Sequence, residues 1–107
     1  MNTQIAWEKV IQALSESSQE FPTTPITNKI PVWFKTETDG EKVFISEAKE
    51  HKPSSKLKMP RTLTFKKFDE VYPYYLKRKQ GEQVSQEVAS ITVNQVYYYS
   101  LMHHLCE

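Results

Sequence analysis

No charged residue stands between Glu87 and Glu107. In a chain of 107 residues, so long an uncharged segment must be covered by most of what remains. Val84, Val88, Ile91, Gln95, Tyr98, Met102 and Leu105 follow one another at steps of four and three, a heptad seam interrupted once, by Gln95. A second stripe, Val93, Tyr97, Leu101 and His104, lies beside it. Read as one helix from about Ser85, the segment is apolar or aromatic over most of its circumference. Such a helix is buried, inside its own domain or against a partner. Its Ser, Thr, Asn, Gln and His residues set it apart from a membrane span.

The other elements must supply that cover. Trp7, Val10, Ile11 and Leu14 mark one face of a helix beginning near Thr3. Residues 15–29 are polar, contain Pro22 and Pro25, and read as a loop. Two runs rich in β-branched and aromatic residues, 30–37 and 42–46, flank Asp39-Gly40 and predict a hairpin. Val32, Phe34 and Thr36 share one of its faces; Trp33, Lys35 and Glu37 share the other. Residues 51–61 form a basic, proline-containing loop, and 61–63 a short further strand. Thr64 is placed to cap a helix carrying Phe65, Phe68, Val71, Tyr72, Tyr75 and Leu76. Pro73 is expected to kink or split it, and Gly81 to end it. The expected fold is α+β and a single domain over 1–107: a small antiparallel sheet on a β-hairpin, packed by an N-terminal helix and two C-terminal helices.

One cysteine, Cys106, allows no internal disulfide, and small secreted chains usually carry several. Glu8 and Lys9 interrupt the place where a signal peptide needs its apolar stretch. A cytoplasmic protein with no membrane association is the expectation.

The net charge of +1 hides a division. Residues 1–50 carry −3, residues 83–107 carry −2, and residues 51–82 carry nine cations against three anions, or +6. The cations are Lys52, Lys56, Lys58, Arg61, Lys66, Lys67, Lys77, Arg78 and Lys79, interleaved with Ser54, Ser55, Thr62 and Thr64. Gathered on one face, they would neutralise several phosphates while the hydroxyls donate to others.

Two motif resemblances bear on function. Residues 81–89 resemble the start and first helix of a helix-turn-helix, and residues 91–98 its turn and recognition-helix start. Asn94 and Gln95 are of the types that pair bidentately with adenine. The turn glycine of that motif is absent, and the candidate recognition helix has no Lys or Arg. Glu47-Ala48-Lys49 after an apolar strand, with Asp39 upstream, resembles the PD-(D/E)xK nuclease core. That likeness implies a divalent cation held by the carboxylates and a lysine assisting the attacking water. Metal ligation by His103, His104 and Cys106 is not expected, since neighbouring histidines diverge on a helix.

These readings rank a small non-enzymatic nucleic-acid-binding accessory protein first, without cofactor or metal, docking through the nine cations. Second comes a self-associating or partner-binding module using the tyrosine-rich C-terminal helix, with a homodimer expected through Gln95, Tyr98, Met102 and Leu105. A divalent-metal nuclease is a distant third.

Overall fold

The computed structural model describes residues 2–25 and 29–107. Helix α1 (Thr3–Glu16) begins where the Asn2 side chain accepts the Ile5 N–H at 2.8 Å. It buries Ala6, Trp7, Val10 and Leu14. Strands β1 (Gln19–Pro22), β2 (Trp33–Thr38), β3 (Val43–Glu47) and β4 (Arg61–Leu63) form one antiparallel sheet in that order. The hairpin between β2 and β3 turns as its composition predicts. Gly40 takes φ +97°, and the Asp39 carboxylate accepts the N–H groups of Glu41 and Lys42 at 2.9 and 2.8 Å.

Strand β1 falls within the segment expected to be a loop. Its four residues offer one buried apolar side chain, Phe21, so no alternation announces it. Residues 26–28 of that expected loop lie outside the described residues.

Helix α2 (Phe65–Lys79) starts at Thr64, whose hydroxyl accepts the Lys67 N–H. It ends in a Schellman motif. Gly81 at φ +90° donates to Arg78 O, and Glu82 donates to Lys77 O. The expected split at Pro73 does not occur: α2 is continuous through it. Pro73 and Asp69, four residues before it, are both exposed, so water can serve the carbonyl that loses its helical partner.

The C-terminal segment divides into α3 (Ser85–Ala89) and α4 (Gln95–Cys106) instead of forming one helix. Hydroxyls of the intervening residues satisfy the backbone locally. Ser90 Oγ donates to Glu87 O at 2.6 Å, and Thr92 Oγ1 accepts the Asn94 N–H at 3.0 Å.

Helices α1 and α4 pack against the sheet face that carries Phe21, Phe34, Thr36, Val43, Ile45 and Leu63, with α2 against both helices. Residues 97–102 of α4 are all buried, which makes α4 the central helix. Two of its buried polar groups find partners across the fold. Ser100 Oγ donates to Pro22 O at 2.7 Å, and the Tyr98 hydroxyl accepts the Thr64 N–H at 3.0 Å. No helix among the described residues is long and apolar enough to cross a membrane.

Candidate nucleic-acid interface

The basic loop is held by four anchors. Where β3 ends at Glu47, residues 53–55 continue beside β2. Trp33 N–H donates to Pro53 O, and Ser55 N–H to Trp33 O, both at 2.7 Å. On the outer sheet face the Glu20 carboxylate accepts the N–H groups of Lys49, Glu50 and His51 at 2.8, 3.1 and 3.0 Å. The His51 ring donates to the same carboxylate through Nδ1 at 2.9 Å and stacks on Trp33, with centroids 3.9 Å apart. Desolvation pushes the Glu20 carboxyl up, but these donors outweigh it and hold it down to about 2. Glu47 Oε1 accepts the Leu57 N–H at 3.1 Å. Ser55 Oγ meets the Tyr97 hydroxyl at 2.9 Å.

That last bond, with a contact of 3.3 Å from Arg61 Nη1 to Asn94 Oδ1, sets the loop beside the start of α4. Val93 and Val96 flank the junction and are exposed. The helix-turn-helix likeness therefore holds for order but not for proportion. The first helix has five residues, and the second is buried from Tyr97 to Met102, so beside the loop only its first turn is open to a ligand.

The nine cations do not share one surface. Lys52, Lys56, Lys58 and Arg61 are exposed on the loop and the β4 edge, and Lys66 is exposed on the first turn of α2. None of these five has an ion-pair partner among the described residues. Lys67 lies 3.9 Å from Glu70. Lys77, Arg78 and Lys79 sit at the far end of α2, roughly 15–20 Å away along its axis. There they are occupied. Lys77 lies over Tyr74, and Arg78 lies 4.4 Å from the Tyr99 ring and donates to Thr24 O at 2.7 Å. Lys79 lies over Tyr75 and pairs with Glu107. The single block of the sequence is two groups, one free and one built into the fold.

The expected dimer seam also needs correction. Tyr98 and Met102 are fully buried in the chain's own core, and Leu105 packs on that core. Gln95 is half-buried, its Oε1 without a partner among the described residues. The sheet, α1 and α2 consume the seam that a second chain would have to cover.

The nuclease likeness is not assembled either. Asp39 caps the turn at one end of the hairpin, while Glu47 holds Leu57 at the other, some 14 Å away along the strand. Glu20, Glu50 and His51 place ligand atoms within 4.8 Å of one another. Both Glu20 oxygens already accept backbone N–H groups, so this cluster works as a loop clamp. His103 meets Glu107 at 2.6 Å, His104 stacks on Phe21, and the Cys106 thiol is buried against Ala6 O. Burial pushes that thiol up to about 11.

No known protein family matches this chain, and neither the curated proteins nor the solved structures contain a match to it. Glu20 is the residue that sequence reasoning passed over. Its partners lie 29 to 31 positions away, with no motif to link them.

Proposed function

We propose that this chain is a small non-enzymatic protein that binds nucleic acid, using Lys52, Lys56, Lys58, Arg61 and Lys66 together with the open first turn of α4. The observation that carries the reading is the joining of the free cations to that turn, through Arg61–Asn94 and Ser55–Tyr97. Cations supply phosphate contacts, and an exposed helix start beside them supplies groups that reach base edges. Asn94 is the candidate reader of adenine once Arg61 turns to a phosphate. The clamps at Glu20 and Glu47 support this by fixing the loop before a ligand arrives, which lowers the ordering cost of binding.

The test is fluorescence anisotropy with labelled duplex and single-stranded oligonucleotides over a salt series. Five phosphate contacts give a slope of log affinity against log salt of about −4. Lys56→Glu with Lys58→Glu and Arg61→Glu abolishes binding, whereas Lys77→Glu with Lys79→Glu leaves it within about twofold, since exposed charges far from a ligand are screened. Equal losses from both sets, or no binding at low salt, refute the reading.

A further inference from the structure

On the side of the molecule that carries the hairpin turn lies an apolar groove of about 420 Å³ between α1, that turn and the start of α2. Trp7, Ile11 and Phe65 form its walls, and Glu8 and Glu41 stand among the residues that line it, with no cation among the described residues. The Trp7 and Phe65 rings lie 6.4 Å apart, and Phe65 is 37% exposed, high for an aromatic side chain beside a core. The groove is therefore built for an apolar group flanked by positive charge.

The chain itself carries such a group. Met59, 74% exposed, projects from the loop between Lys58 on one side and Pro60-Arg61 on the other, all of them exposed. It cannot reach its own groove. Arg61 pairs with Ile45 on β3, and the loop continues away from the Gly40 turn, leaving roughly 15 Å or more of strand between them. A second copy can supply it.

We propose that the tip Lys58-Met59-Pro60-Arg61 of one copy seats in the Trp7–Phe65 groove of another. Met59 lies against the two rings, a contact that thioethers and aromatic faces favour. Lys58 and Arg61 lie beside Glu8 and Glu41. The contact is between two different patches, and the pair closes as a dimer when a two-fold axis brings each loop to the other copy's groove, so that each copy gives a loop and receives one. Such a pair is small and belongs to the weak, reversible class of interfaces. It uses none of the buried helix seam, and it rests on the exposure of the loop, not on the nucleic-acid reading.

A charge swap tests it without any nucleic acid present. One variant carries Glu8→Lys with Glu41→Lys; the other carries Lys58→Glu with Arg61→Glu. All four positions are exposed, so both variants fold, which their thermal unfolding checks. In sedimentation equilibrium the wild type moves from monomer toward dimer as concentration rises. Each variant alone stays monomeric, because its loop and groove now repel. An equimolar mixture dimerises, because the altered groove meets the altered loop and the native groove the native loop. Met59→Asp removes dimerisation from the wild type by placing a charge between the rings. A wild type that stays monomeric or grows beyond a dimer overturns the proposal. So do variants that dimerise alone, or a mixture that does not dimerise. Failure of the anisotropy experiment leaves these masses unchanged.

Discussion

Replacing Glu20 by Gln separates what its charge does from what its shape does. The carboxylate side chain is 7% exposed, and it serves three backbone N–H groups and the His51 ring at once. Its carboxyl group falls from an ordinary 4.5 to about 2 in the fold. The unfolded chain therefore takes up this proton near pH 4.5, and the native chain only near pH 2. Native stability from this group is complete above about pH 5.5 and is lost as the pH falls through 4.5 toward 2. At about 1.4 kcal/mol per pH unit the full contribution is about 3 kcal/mol, half of it gone near pH 3. Asp39, also lowered by N–H donors of its turn, acts in the same direction in both proteins and cancels in the comparison. Urea unfolding of wild type and Glu20→Gln at a series of pH values reads the difference. We expect the variant to be less stable by about 2–3 kcal/mol at pH 7. The two curves should converge as the pH approaches 2. Parallel pH curves for the two proteins would refute the clamp, as would a Glu20 carboxyl resonance titrating near its ordinary value.

Two further outcomes test the core. Tyr98→Phe removes the acceptor of the Thr64 N–H and leaves that half-buried donor without its partner, so chemical denaturation should show a loss of about 1 kcal/mol with the same cooperativity. Cys106, buried and with its thiol raised to about 11, should resist a thiol-specific chromogenic reagent at pH 8 and react at once in denaturant; rapid reaction of the native protein would show that α4 opens at this end.

How much of this was legible follows from the range of each interaction. The hairpin turn, the Thr64 cap and the Gly81 stop are each decided by residues within five positions of one another, and all three were readable as pattern. The α+β layout followed from them. Strand β1 was not readable, because its pairing with β2 needs a partner some 11 to 17 positions away and it has one apolar side chain of its own. The division of the basic block had the same cause. Nothing in Lys77-Arg78-Lys79 tells that Tyr99 and Glu107 will meet them, whereas the lysines of the loop look identical in composition and meet no carboxylate among the described residues. Burial of Tyr98 and Met102 was implied by the uncharged segment, but the sequence does not say whose surface does the burying.

The pairing of α1 with α4 sets when this domain can come into being. Cys106 bonds to Ala6 across 100 positions, and α4 fills the space that α1, α2 and the sheet surround. A ribosome-bound chain that has exposed every strand still lacks the rod on which they close. Its hairpin can flicker but has no interior. The sheet, α1 and α2 thus have no closed core until α4 is in place. Without α4 the remaining elements are not a smaller version of this protein but an open shell of aromatic side chains.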